Sequence, residues 1–384
     1  MHPTSPRVLT RRSLGAIGLA ALATRAHAAD APLQIAQVIP LSGERALIGD
    51  DWRNGVEMAV QDINAGGGIL GRMVQVSTYD TQSSAAGLRG SLQRALDGDP
   101  YALLGPLSAA DTLASLPMVR ERRILQITGS TMVSTAGAPF LFLASVPEAA
   151  RMTKLVLWMR AALPAITRIG VLWTPAEPGR ASRDAFVRAA QPVGLAIAGD
   201  LPVPTTAAEL PGEIAKLLRA APHAVFLAAP GRDAARLLIE LRRQAPELPI
   251  FGEAILVANR TLEKAGAAAV GVRASVALAA AAPPLAAFHD RFQARFKQPA
   301  SSAAIEGHMA VAMVKAATDR LGRADPRGLA DALRGQHITT AEEPALLLDT
   351  TWNAAGEPDR VSFLAEVTAP GQVAWQILPP LQAA

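Results

Sequence analysis

The chain has 384 residues, half of them hydrophobic, with no cysteine and a formal charge of +4. The lack of cysteine excludes disulfides, zinc–thiolate sites and cysteine nucleophiles. Residues 1–28 carry four arginines and no acid; without them the 37 basic residues fall to 33, equal to the 33 acidic ones. A basic surface for nucleic acid or anionic lipid then loses its support.

Those first residues read as an export leader. Arg7, Arg11 and Arg12 form a positive region, Leu14 to Ala23 a short apolar run, and Ala26-His27-Ala28 a small-residue cleavage site. The apolar run is too short to span a bilayer. Thr10-Arg11-Arg12-Ser13-Leu14 has a twin-arginine pattern, with Leu14 in place of the usual phenylalanine, so the general secretory route stays open. The expected product starts at Ala29, lies in the periplasm and diffuses freely, since there is no cysteine to carry a lipid. About 356 residues remain, more than the ~250–300 that one core usually serves, so two lobes are expected.

Leu33 to Gln82 reads as one strand–loop–helix–strand unit. Leu33 to Ile39 is a buried strand, and Leu41 to Gly49 a polar loop. Asp50 or Asp51 is placed to cap the following helix. Trp52, Val56, Ala59 and Ile63 recur on one helical face, and Gly66-Gly67-Gly68 ends the helix. Met73 to Tyr79 alternates as a second strand. The loop after the first strand then opens at the carboxyl edge of a parallel sheet, where ligands bind. Alternation continues: helices over 84–96, 109–122, 148–162, 179–190, 208–220, 232–244, 285–296, 302–321 and 326–333; strands over 101–104, 124–128, 140–143, 168–173, 195–201, 223–228, 249–251, 270–276, 345–348, 361–367 and 373–377. That pattern predicts an α/β fold of parallel sheets covered by helices.

The order PLSG, GVEMAVQDINAGGGILGR and YDTQ in this first unit resembles the opening of the leucine/isoleucine/valine-binding protein family, type I solute-binding proteins of bacterial ABC importers. The similarity runs on, more weakly, to about Gly356. The resemblance implies two Rossmann-like lobes joined by a three-strand hinge, with a small ligand in the cleft between them. It places lobe 1 at 30–143 plus 277–340 and lobe 2 at 144–276 plus 341–384. It implies a membrane permease as partner and a branched-chain or other small apolar amino acid, or a related amide or carboxylate, as ligand. A periplasmic sensor of the same fold, acting on a signalling partner, is the alternative.

Other chemistry has little support. Gly66 to Gly71 matches GxGxxG, but it follows a helix and precedes a strand, the reverse of a dinucleotide site. There is no GxxxxGK[ST], HExxH or GxSxG, and the histidines beyond the leader (His223, His289, His308 and His337) are scattered. No enzyme, cofactor, metal or nucleic acid is expected.

Candidate ligand residues follow. Ser108 and Ala109 sit where a strand meets a helix N-terminus, whose free N–H groups favour an anion; the alternative is that Ser108 merely caps its helix. In the family this loop holds the ligand carboxylate, and Ala109, which replaces a serine, offers only its N–H. Ser130 and Thr131 match the second ligand loop, or form an ordinary turn; Met132 departs from the family threonine. Glu253 lies near the glutamate that holds the ligand ammonium, with Ala254 an equal match in register, and is otherwise an exposed loop carboxylate. Ile48 stands where an aromatic often walls the pocket. Pro178 and Pro230 lie near family tyrosines, and Trp173 either supplies the missing wall or belongs to the core. Glu306-Gly307-His308 resembles the family helix start, with histidine for tyrosine.

Overall fold

The computed structural model describes residues 31–175, 177–203 and 209–381; the predicted leader lies outside them. The first unit forms as its pattern predicts. β1 (Leu33–Ile39) and β2 (Val74–Asp80) pair in parallel from Leu33↔Val74 to Ile39↔Asp80, and α1 (Ala46–Ala65) crosses between them. α2 (Ala85–Asp97), β3 (Ala102–Leu104), α3 (Ala109–Arg122), β4 (Gln126–Thr128) and β5 (Leu141–Leu143) follow. The five strands make an all-parallel sheet in the order β2-β1-β3-β4-β5.

A second series begins at α4 (Glu148–Ala162). β6 (Arg168–Trp173), α5 (Gly179–Ala190), β7 (Ala196–Pro202), α6 (Leu210–Arg219), β8 (Ala224–Ala228), α7 (Gly231–Gln244), β9 (Ile250–Glu253), α8 (Asn259–Ala265) and β10 (Val272–Val276) come in turn. α9 (Ala286–Phe296), α10 (Ser302–Leu321) and α11 (Leu329–Leu333) are followed by β11 (His337–Ile338), β12 (Thr350–Trp352) and β13 (Pro358–Asp359), a small antiparallel sheet. β14 (Ser362–Ala369) and β15 (Gln372–Leu378) close a seven-stranded sheet in the order β15-β14-β10-β9-β8-β6-β7. This sheet is parallel from β10 to β7 only; β14 runs antiparallel to both β10 and β15. The reason is local: Pro370 and Gly371 alone join β14 to β15, with Gly371 at φ +74°, and so short a connection admits only an antiparallel pair. No described helix is long and apolar enough to cross a membrane.

Several details differ from the sequence reading. α1 starts at Ala46, so neither Asp50 nor Asp51 caps it. Asp50 instead pairs with Arg53 at 3.0 Å, and Asp51 accepts from Gln298 Nε2 at 3.1 Å. The strand expected over 345–348 is a 3₁₀ turn, Pro344–Leu346, because proline opens a tight turn and has no N–H for a ladder. α8 and the strands of the small sheet gave no sequence signal, since elements of two to seven residues show too few turns or alternations to read.

The two long helices α1 and α10 pack in direct backbone contact. A Cβ on Gly55 would lie 1.8 Å from the Ala304 carbonyl oxygen, and one on Gly307 2.3 Å from that of Trp52. The backbones therefore touch with nothing between them. Trp52 is fully buried there, and Gly129, just after β4, lies against its ring. Next to Gly307, His308 is buried edge-on to Phe288, with ring centroids 5.0 Å apart.

Burial pushes His308 down to about 4; Asp62 pulls it up weakly, and Arg291 lowers it further. The unfolded chain binds this proton below about pH 6.5, whereas the folded protein refuses it until about 4. The group's contribution is therefore intact above that range and falls as the pH drops through it, by up to ~3 kcal/mol. Between about pH 7 and about pH 5, His308→Phe is expected to lose less unfolding free energy than the wild type. Parallel stability–pH curves for the two proteins would contradict this.

Candidate functional site

The carboxyl edge of the first sheet is built around buried hydroxyls and one carboxylate. Asp80, at the end of β2, accepts from the Leu41, Ser42 and Gln82 N–H groups and from Ser42 Oγ at 2.6 Å. Burial works to raise its pKa, but these donors win and hold it below the ordinary carboxylate value. Asp80 thereby fixes the loop after β1, and it explains the aspartate of the YDTQ segment. Arg45 extends the arrangement by pairing with Asp111 at 2.9 Å, which ties the start of α1 to the first turn of α3. Ile48 sits on that first turn of α1 and is half exposed.

The next two loops are locked to one another. Thr128, at the end of β4, donates to the Pro106 carbonyl at 2.7 Å, contacts Thr112 Oγ1 at 2.8 Å and accepts from the Ser130 N–H at 3.1 Å. Gln126 Nε2 donates to Ser115 Oγ and to the Gly105 carbonyl. These bonds bring Ser108 and Ala109 beside Ser130 and Thr131. Ser108 Oγ caps α3 by accepting from the Asp111 N–H at 3.2 Å, so its hydroxyl already has a structural task. Ser130 is buried, and its Oγ accepts from the Met132 N–H at 3.4 Å.

Thr131 is the link to the second series. Its carbonyl accepts from the Glu148 N–H at 3.0 Å, which docks the N-terminus of α4 on the loop after β4. A cavity of about 420 Å³ opens here, lined by Thr131, Met132, Glu148, residues of α5 and Glu357. A larger depression of about 610 Å³, along α3 and β5, contains none of the candidate residues.

Behind Glu148 lies a buried ionic cluster. Glu148, Arg151 and Lys154 come from successive turns of α4 and are 3 %, 6 % and 3 % exposed. Arg151 Nη2 is 3.5 Å from Glu148 Oε2, and its Nη1 donates to the Ser275 carbonyl at 3.1 Å. Ser275 on β10 is the register partner of Glu253 on β9. Lys154 pairs with Asp359 at 2.8 Å and also donates to the Arg360 carbonyl. Arg360 is fully buried, with Nη1 3.0 Å from Met309 Sδ.

Burial dominates the titration of these groups. It lifts Glu253 well above the carboxylate range, aided by Glu148 within hydrogen-bond reach and opposed by Arg151. It pushes Glu306, on α10, up to about 8 against the pull of Arg151 and Arg360. It lowers Arg360 to about 10 and also lowers Lys154, which Asp359 partly restores.

The sequence candidates thus fall into separate places. Ser108, Ala109, Ser130 and Thr131 share one edge, and Glu148 connects them to Glu253, which ends β9 instead of following it. Ala254, the other register match, is exposed at the start of a 3₁₀ turn. Trp173 packs among the hydrophobic side chains between the second sheet and α4 and α5, with Arg183 5.6 Å above its ring. Glu148, Arg151 and Arg360 went unread in sequence, because single charged residues in helices and loops usually face solvent. The one available signal was Glu306, a lone acid in the apolar stretch Ala303 to Val314.

Comparisons with known proteins bear on the family and the fold. Residues 32–372 match the model of the periplasmic binding protein family. The chain is similar to the leucine-, isoleucine-, valine-, threonine- and alanine-binding protein of Pseudomonas aeruginosa: 21 % identity over 333 residues, covering 86 % of this chain and 89 % of that one. With Leu/Ile/Val-binding protein homolog 7 of Brucella abortus it is 28 % identical over 137 residues, 36 % of this chain and 31 % of the relative, so that match spans about a third of the relative's length. Among solved structures, the branched-chain amino acid transporter substrate-binding protein LivJ of Streptococcus pneumoniae, in complex with isoleucine, superposes with a TM-score of 0.73 at 16 % identity, over 91 % of this chain and all of that one. A solute-binding protein of Rhodopseudomonas palustris in complex with 3,4-dihydroxybenzoic acid gives 0.72 at 17 % identity, over 92 % and 98 %. A family match over nearly all the described residues, with structures of the same two-sheet α/β fold, identifies the chain as a member of the periplasmic binding protein family with the type I fold.

Proposed function

We propose that this protein is the periplasmic substrate-binding component of an ABC importer. It binds a branched-chain or other small apolar amino acid, or a related amide or carboxylate, in a cleft between two lobes and presents it to a membrane permease. The observation that carries this reading is the junction at Thr131 and Glu148. There a loop from the first sheet and a helix leading into the second meet at one cavity, which a buried carboxylate lines. In this reading the lobes comprise 30–143 plus 277–340 and 144–276 plus 341–384, and three connections between them act as hinges. The N–H groups of Ala109 and Thr131 receive the ligand carboxylate, and Glu253 faces its ammonium. Ile48 overhangs the entrance, and Trp173 stiffens the wall. The similar proteins named for leucine, isoleucine and valine support the ligand class, while the dihydroxybenzoate complex shows that the same fold also holds an aromatic acid.

A thermal-shift screen of amino acids, amides and aromatic acids tests the reading directly, because a ligand that binds only the native state raises its melting temperature. Glu253→Gln is expected to weaken binding of a zwitterionic ligand by about 2–5 kcal/mol, the cost of removing one partner from a buried charged pair. Calorimetry that finds the affinity unchanged would remove Glu253 from the site. Closure of the lobes around the ligand lowers the radius of gyration, and small-angle scattering with and without the screened ligand measures that change.

A further inference from the structure

The two large sheets end in four edge strands, and β15 is the least guarded of them. An edge invites pairing with another chain unless charge, proline, a bulge or shortness prevents it. β5 has three residues, all buried. β7 carries Asp200, held by Arg183 at 3.2 Å, ends on Pro202 and is offset in register where it meets Ile169 and Gly170. β2 is polar over most of its length and ends on Asp80. β15 has none of these protections. Its residues Gln372–Leu378 include no charge and no proline, and among the described strands it pairs with β14 alone. The one irregularity of that ladder falls between Val367 and Ala369, next to the turn, and leaves the rest of β15 regular. No ionisable side chain occurs from Val367 to Ala384. The charges of the next two strands, Arg273 and Glu366, are paired with each other at 2.7 Å.

The strand is also complementary to itself. Gly371, at φ +74°, closes the turn on one side, and Pro379 and Pro380, which have no N–H, end the ladder on the other. Full antiparallel overlap of two such edges therefore centres on Trp375. Trp375 then faces Trp375 of a second copy, and Val373 faces Ile377. These side chains share the face on which Val373 and Trp375, partly buried, pack against the core that includes Phe363, Ala365 and Val367 of β14. Ile377, on the same face, is 48 % exposed. Aromatic and β-branched side chains opposite one another are contacts that stabilise an antiparallel ladder. On the other face Gln376 accepts from Trp158 Nε1 at 3.0 Å, so its carbonyl is already engaged. There the same register lays the Pro370–Gly371 turn of the second copy beside Pro379 and Pro380, at an apolar pocket of about 310 Å³ between these prolines and α4.

We infer that β15 is a dimerisation edge: two copies of this chain join β15 to β15 in antiparallel register about Trp375, which makes one continuous sheet across both. A second copy is the occupant that the edge fits. It brings an edge of equal length, opposes no like charges, and sets apolar against apolar in every pair on one face. The two-fold axis uses up the edge of each copy, so assembly stops at two. One strand per copy makes a small interface, so the dimer forms as concentration rises. β14 and β10 lie between this edge and β9, β8 and β6, whose carboxyl ends carry the second-sheet ligand candidates, so the inference stands independently of the ligand reading.

Analytical ultracentrifugation of the full processed chain over a range of concentrations is expected to show a monomer–dimer equilibrium. Ile377→Lys, at a half-exposed position, is expected to melt near the wild-type temperature and to weaken the dimer by about tenfold or more, since each dimer then buries two unpaired ammonium groups. The chain has no cysteine, so the single thiol of Trp375→Cys can bond only to another copy. In the inferred register the two Cα atoms lie ~4.5–5.5 Å apart, within disulfide reach, and mild oxidation is expected to crosslink them. In Gln372→Cys the two thiols lie ~20 Å apart along the paired strands, and no crosslink is expected. Hydrogen exchange on the wild type needs no variant: the β15 amides are expected to slow as the concentration rises. A wild type that stays monomeric at every concentration, with β15 amides that exchange alike at all of them, overturns the inference and leaves the edge to a strand from another protein. A dimer that Ile377→Lys leaves intact also overturns it. So does a folded, dimeric Trp375→Cys that does not crosslink, or a Gln372→Cys that crosslinks as readily.

Discussion

Replacing Arg151 by methionine is expected to lower the unfolding free energy at about pH 8 by about 3–5 kcal/mol, because the change strands buried carboxylates without their cation. Arg151 is 6 % exposed, reaches Glu148 and the Ser275 carbonyl, and lies within electrostatic range of Glu253 and Glu306. Methionine fills a similar volume, so the loss reports charge more than packing. The sign with pH follows. Without Arg151 the folded-state pKa values of Glu253 and Glu306 rise further above those of the unfolded chain. The deficit is then largest on the alkaline side and shrinks as the pH falls towards about 5, where the glutamates hold their protons in the folded state. Urea unfolding of wild type and variant at several pH values checks both size and direction. A deficit that does not vary with pH would mean that Arg151 acts by packing alone. Adding Glu148→Gln to Arg151→Met is expected to recover part of the loss, since it removes one of the stranded charges.

A comparable loss is expected from a single methyl group at the crossing of α1 and α10. In Gly307→Ala the new Cβ meets the Trp52 carbonyl oxygen at 2.3 Å, and backbone cannot step aside as a flexible side chain can. The helices must separate, opening space around the fully buried Trp52, at about 3 kcal/mol or more. Gly90→Ala is the control. Gly90 lies inside α2, and its Cβ would touch only the mobile end of Arg94 at 3.4 Å, so helix propensity alone acts and stabilises by about 0.5–1 kcal/mol. The same chemical change thus carries opposite signs at two helical glycines, and denaturant midpoints measure both. A mild effect at Gly307 would show that the crossing is looser than its geometry. Because α10 also carries Glu306 and His308, Gly307→Ala is further expected to weaken ligand binding by disturbing the ionic cluster.

Much of the fold was legible in the amino-acid order because its signals are local. The helices over 109–122, 148–162, 179–190 and 302–321 and the strands over 33–39 and 168–173 begin and end where apolar periodicity and turn residues place them. The family could be read from the first 50 residues of that pattern, since the loop after β1 and the glycines after α1 recur in fixed order. Ser108, Ala109, Ser130 and Thr131 lie at the carboxyl edge of the first sheet, the first two at the start of α3 and the others just after β4. The start of α1 did not follow: no cap residue marks Ala46, and the helix is placed by the Arg45–Asp111 pair and the packing against α10.

Tertiary structure alone decided the buried charges. Glu148, Glu253, Glu306 and Arg360 come from three elements and the link between β13 and β14, spread over more than half of the chain, and nothing local to any of them shows that burial will bring them together. A carboxylate's pKa depends on what surrounds it in space, so Glu253 beside Glu148 and Asp80 among four donors move in opposite directions although both end a parallel strand. Close helix approach at Gly55 and Gly307 is likewise a property of two distant segments at once. Sequence order carries short-range periodicity; charge balance and backbone contact depend on long-range proximity, which exists only after the chain has folded.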